Sequence, residues 1–142
     1  MYQIPLALPF VGENVLRYLP SLTEWLIKKG TYKKDLWTEE ELQWFSSVLQ
    51  NPQRAKASSL LYRDFLSKEL LQLYQGKYKN RKFIVPTYLL IGEKDPVINP
   101  SLFHNFKDDA TTVQIKTIKN CGHFIPEEMP EAVAKEVKIH FK

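Results

Sequence analysis

The sequence predicts an α/β fold in which a helical block precedes a parallel pair of strands with helices around them. Two stretches carry that expectation. Thr87 to Ile91, entered through Val85-Pro86, mixes β-branched and aromatic residues with leucine and suits a strand buried on both faces. In Thr112 to Ile118, Val113 and Ile115 alternate with polar neighbours, as in a half-exposed strand near a sheet edge. A short helix expected near Ser101 to Phe106 lies between them. A helix between two strands implies a parallel pair with a right-handed crossover.

The helical block runs roughly from Gly12 to Tyr74. Gly12 to Leu19 reads as a short helix stopped at Pro20. Ser21 to Lys29 reads as another, with Leu22, Trp25 and Leu26 on one face and Gly30 as its stop. Thr38-Glu39-Glu40-Glu41 is a capping box, in which the threonine hydroxyl and the glutamate satisfy each other's free amides. The helix it starts carries Leu42, Phe45, Val48 and Leu49 and ends by Asn51-Pro52. A longer helix follows from about Arg54 to Tyr74, closed at Gly76. Its apolar positions include Leu60, Leu61, Phe65, Leu66, Leu70, Leu71 and Tyr74. Beyond the second strand, Pro130 suits the first position of a last helix with Val133, Val137 and Phe141 on one face.

Composition excludes several function classes. The 142 residues suit one ordinary domain, and the hydrophobic and charged fractions are those of a globular protein. The net charge of +4 is mild. The basic cluster Lys77, Lys79, Arg81 and Lys82 beside Tyr74 and Tyr78 reads as a solvated linker rather than a nucleic-acid surface. The single Cys121 allows no internal disulfide. The apolar start, Met1 to Val11, has no basic flank and is too short to span a bilayer. The expectation is a cytoplasmic protein that binds neither membrane nor nucleic acid.

The chemistry-bearing residues sit at strand ends. Asp95, in the turn Glu93-Lys94-Asp95-Pro96, follows the first strand at its carboxyl end, the edge where open α/β sheets keep their ligands. His123, in Cys121-Gly122-His123-Phe124-Ile125-Pro126, follows the second. A carboxylate and then an imidazole, in that order, suit the tail of a nucleophile–acid–base triad. Taken singly, Asp95 reads as a turn former and His123 as a hydrogen-bonded loop residue; taken jointly, in order, after two strands, they read as triad members. His104 and His140 read as surface residues, Cys121 as a poor nucleophile, and Glu127 and Glu128 as helix-start charges. There are five glycines, and no serine or aspartate lies in a G-x-S-x-G frame. No Gly-rich phosphate loop and no metal-ligand spacing of Cys and His is present.

The segments Val85 to Val97 (VPTYLLIGEKDPV) and Gly122 to Glu131 (GHFIPEEMPE) resemble the α/β-hydrolase superfamily, and within it the epoxide-hydrolase-like enzymes. The Gln3-Ile4-Pro5 step resembles their passage from catalytic core into helical cap. The resemblance implies a partial α/β-hydrolase fold, with residues 1–78 as cap and 79–142 as the C-terminal part of the core. It makes Asp95 the group that orients the base and His123 the general base. Leu61-Tyr62-Arg63 resembles the step at which epoxide hydrolases place a lid tyrosine, whose phenol donates a hydrogen bond to the epoxide oxygen. Tyr62 is otherwise a core aromatic with its hydroxyl at the rim.

The reaction that the resemblance implies is hydrolysis of a small apolar epoxide through a covalent ester, with no cofactor and no metal. A carboxylic ester or an alkyl halide is the alternative, because the deciding nucleophile is absent from the sequence. A reading of another class is a catalytically inert fragment, or a module binding an apolar ligand. The expected partner is a missing N-terminal half, or a second copy through self-association.

Overall fold

The computed structural model describes residues 2–79, 81, 84–103 and 112–141. The chain divides into two compact units. The first comprises Met1–Leu26 and Thr38–Arg81, and the second Ile27–Trp37 and Lys82–Lys142.

The first unit is helical. It contains α1 (Gln3–Ala7), α2 (Val11–Tyr18), the start of α3 (Pro20–Gly30), α4 (Glu39–Val48), α5 (Pro52–Asp64) and α6 (Leu70–Tyr74). Leu6, Leu16 and Ala55 form its core, with Tyr2, Val15, Leu22, Leu49 and Tyr62 packed against them. The expected capping box is present in full. Thr38 Oγ1 accepts from the Glu41 amide, and Glu41 Oε2 accepts from the Thr38 amide at 2.9 Å. Asn51 caps α5 by accepting from the Gln53 and Arg54 amides, and Pro52 fills the first turn, where its missing N–H costs nothing. The long helix expected from Arg54 to Tyr74 is interrupted by a π-helical turn, Phe65–Glu69, and its chain reverses at Gly76, whose φ of 74° suits glycine. What α5 buries is Ala55 and Ser59, while Leu60 and Leu61 stay exposed. Polar anchoring explains this: Ser59 Oγ donates to the Leu6 carbonyl at 2.8 Å, and Arg63 Nε donates to the Ala7 carbonyl at 2.9 Å.

The second unit holds β1 (Thr87–Gly92) and β2 (Val113–Ile118), paired in parallel with Thr87 opposite Val113 and Gly92 opposite Ile118. A 3₁₀ turn, Pro100–Phe103, stands where the connecting helix was expected; the remainder of that expectation lies outside the described residues. Then come α7 (Ile125–Glu128) and α8 (Pro130–His140). Ile118, Cys121 and Ile125 form the core, covered by Leu90, Met129 and Val133. Two expectations are corrected. β1 is buried only at Ile91 and Gly92, because among the described residues β2 is its one strand partner. Along α8, Val133 packs inward but Val137 and Phe141 are exposed, and Glu136 is buried instead. The Tyr88 hydroxyl (2.8 Å) and the Lys116 ammonium (2.6 Å) both donate to its carboxylate, so the helix turns its polar residue to the strands.

Candidate active site

Gly92 ends β1, and the next three residues turn the chain. The Asp95 side chain, 4 % exposed, closes that turn: Oδ1 accepts from the amides of Val97 (2.7 Å) and Ile98 (3.0 Å). This is the local side-chain-to-backbone bonding that suits aspartate to turns. It leaves Oδ2 aimed elsewhere, 2.9 Å from Nδ1 of His123.

His123 is carried by the loop between β2 and α7. That loop turns at Asn120, in the left-handed region at φ 52°. The Glu93 amide donates to the Ile118 carbonyl and the Lys94 amide to the Cys121 carbonyl, both at 2.9 Å, so the turn after β1 and the loop after β2 run side by side. The His123 amide donates to the Gly30 carbonyl at 2.9 Å, and the Phe124 ring meets Trp37 edge-to-face at 5.7 Å. The imidazole is 35 % exposed. Because an ionised carboxylate only accepts, the bond to Asp95 puts the ring proton on Nδ1 and leaves Nε2 as a base facing outward from that bond.

Glu128 is 1 % exposed. Its Oε1 accepts from the Gly122 amide at 2.9 Å, and its Oε2 from the amides of Tyr32 (2.9 Å) and Lys33 (3.1 Å). It stands in the first turn of α7, as a helix-start charge should, and its carboxylate in addition bridges two segments. Gly122 must be glycine here, because a Cβ would meet the Gly30 carbonyl oxygen at 2.5 Å and Glu128 Oε1 at 2.7 Å. The one signal in the sequence was spacing, since Glu128 lies three residues after buried Ile125 and therefore on the same helical face.

Tyr62 belongs to the first unit, where it is half-buried against the Leu6 core. Tyr2 meets it edge-to-face with ring centroids 6.3 Å apart. Burial, and then the Tyr2 phenol beside it, raises the Tyr62 hydroxyl above its usual range, so it stays protonated and able to donate. The structure therefore brings Asp95 and His123 together, and sets Tyr62 against Tyr2.

The sequence matches no protein-family model and no curated protein. Solved structures do match. Cfl2 from Burkholderia cenocepacia aligns over 99 % of this chain and 47 % of its own, with a TM-score of 0.76 and 17 % identity. The Cif epoxide hydrolase from Acinetobacter nosocomialis aligns over 97 % and 43 %, with 0.72 and 18 %. The epoxide hydrolase CorEH aligns over 87 % and 43 %, with 0.67 and 19 %. The chain folds as the C-terminal part of an α/β-hydrolase. It spans less than half the length of each of these chains.

Within this α/β-hydrolase fold the other candidates fall into place. Burial, and then the charge of Glu128, pushes the Cys121 thiol up to about 11, which makes it a poor nucleophile at neutral pH. His140 stacks on Tyr88 with ring centroids 3.6 Å apart, and its Nδ1 lies 2.9 Å from the Glu136 carbonyl. His104 lies outside the described residues. Among the described residues no group of three His, Cys, Asp or Glu side chains is arranged to hold a metal ion, and no helix is long and apolar enough to cross a membrane.

Proposed function

We propose that this chain contributes the general base and its orienting carboxylate, with a lid hydrogen-bond donor, to the hydrolysis of a small apolar epoxide. The observation that carries the reading is the 2.9 Å approach of Asp95 Oδ2 to His123 Nδ1 at the carboxyl ends of two parallel strands. Asp95 holds the imidazole and stabilises its protonated form. Nε2 of His123 takes a proton from the water that attacks the carbonyl carbon of a covalent ester. The protonated Tyr62 hydroxyl suits a donor to the oxygen freed as the epoxide ring opens. The nucleophile comes from polypeptide outside these 142 residues, since no serine or aspartate here lies in an elbow frame. The epoxide-hydrolase names of two similar structures support the choice of epoxide.

The test is turnover of a styrene-type epoxide by the chain combined with an elbow-bearing polypeptide, beginning with the reading frame upstream of its own gene. The chain alone should give none. The combination should turn over, losing activity with His123→Ala and slowing with Tyr62→Phe. Turnover of nitrophenyl esters without epoxides would replace epoxide by ester as substrate. Turnover untouched by His123→Ala would sink the proposal.

A further inference from the structure

We infer that Glu128 is a positioning residue for His123, acting through Gly122 and the 30–33 backbone. The inference deepens the proposed function and rests on its reading of His123 as the base. Its two carboxylate oxygens together accept from three amides that belong to two segments far apart in sequence: Gly122, beside His123, and Tyr32 with Lys33. The same two segments are tied a second time by the His123 amide on the Gly30 carbonyl. The Lys33 ammonium donates to the Glu128 backbone carbonyl, and Trp37 Nε1 donates to Thr31 Oγ1 at 2.7 Å, so the 30–33 segment is itself held. The backbone of His123 thus sits between two fixed points, Glu128 on one side and the Asp95 turn on the other.

A carboxylate is required for this, not merely a polar group. It presents acceptors on both oxygens, and bonds from N–H to an ionised acceptor are about twice as strong as neutral ones. Glutamine has nearly the same volume but one acceptor oxygen. Its amide nitrogen would face either the Gly122 N–H or the Tyr32 and Lys33 N–H groups, donor against donor, in a fully buried place. Either way one of the two segments is released. The register of the loop then loosens, and His123 Nδ1 drifts from Asp95 Oδ2.

The experiment is nuclear magnetic resonance of the 142-residue chain, following the His123 Nδ1–H proton bonded to Asp95. The signal is identified by its loss in Asp95→Asn. In Glu128→Gln it should vanish or exchange rapidly with solvent while the amide spectrum stays folded. Glu127→Gln, an exposed neighbour, should leave it intact. If Glu128→Gln fails to fold, Glu128→Asp is read the same way, since the shorter arm reaches one segment and not both. A retained, slowly exchanging Nδ1–H in a folded Glu128 variant overturns the inference. In the combined enzyme, Glu128→Gln should lower kcat by about 10²-fold with little change in KM, as misplacement of a reacting group does. The resonance reads positioning without turnover, so failure of the epoxide proposal and failure of this one are seen separately.

Discussion

Asp95 and His123 share a 2.9 Å bond, yet only one oxygen of Asp95 takes part in it. The other is committed to the amides of Val97 and Ile98. The aspartate therefore has a structural role and a chemical role on separate atoms, and the two can be separated by substitution.

Asp95→Asn should keep the fold and change the histidine. The asparagine oxygen can still accept from Val97 and Ile98, but its amide nitrogen then faces His123 Nδ1 and can only donate. The imidazole must move its proton to Nε2 and lose its outward base. Imidazole ¹⁵N shifts should report the Nε2–H tautomer, and an unchanged Nδ1–H tautomer would refute the argument. Asp95→Ala should in addition lower stability by about 1–2 kcal/mol, because two turn amides lose their acceptor.

Gly122→Ala should be destabilising out of proportion to its one methyl. The new carbon meets the Gly30 carbonyl oxygen, the Glu128 carboxylate and the Tyr32 amide, which are backbone or already engaged. A loss toward the upper end of about 1–3 kcal/mol is expected from urea unfolding. A wild-type midpoint would mean that the loop yields freely.

Glu136 sets an acid limit. The hydrogen bond from Lys116, and then that from Tyr88, holds its carboxyl below the usual 4.5. Its folded value lies under its unfolded one, so its stabilisation is present above 4.5 and is lost as pH falls from there through the folded value. Lys116 is raised above 10.5 by the same bond, so its contribution is present below 10.5 and is lost as pH rises through its folded value. Thermal midpoints measured between pH 3 and 6 (roughly the carboxylate range) should fall less steeply in Glu136→Gln than in wild type. Parallel curves would remove Glu136 from the account.

Cys121 should be nearly silent to thiol reagents in the native protein. It is fully buried, and its thiol is pushed up to about 11. Alkylation at neutral pH should be slow until denaturant is added, then fast. Rapid native-state labelling would show that the loop beside His123 opens readily.

The chain should self-associate. Ile84 and Val85 lead into β1 exposed, and Leu61, Leu71 and Tyr74 are exposed along the long helix. Apolar surface of this extent seeks a cover. Sedimentation velocity should show larger species as concentration rises. A monomer at all concentrations with one cooperative thermal transition would favour a self-sufficient module that binds an apolar ligand.

Local grammar was enough for much of this protein. The capping box at Thr38 and the cap at Asn51 close backbone bonds within a turn, the Gly92 carbonyl accepts from the Asp95 amide just past β1, and the prolines opening α5 and α8 stand where an N–H would have no helical partner, so a few adjacent residues decide each. The order of Asp95 and His123 at two strand ends was legible for the same reason. What no local signal contained was where buried polar groups find partners. Glu128 is satisfied by amides 95 and 96 positions away, and the roll of α8 follows from donors on two strands rather than from the stripe of Val133, Val137 and Phe141. The pairing of Tyr2 with Tyr62 needed α1 folded onto α5. A buried carboxylate or phenol must meet a hydrogen-bond partner, and only the tertiary structure decides which distant backbone or side chain supplies it.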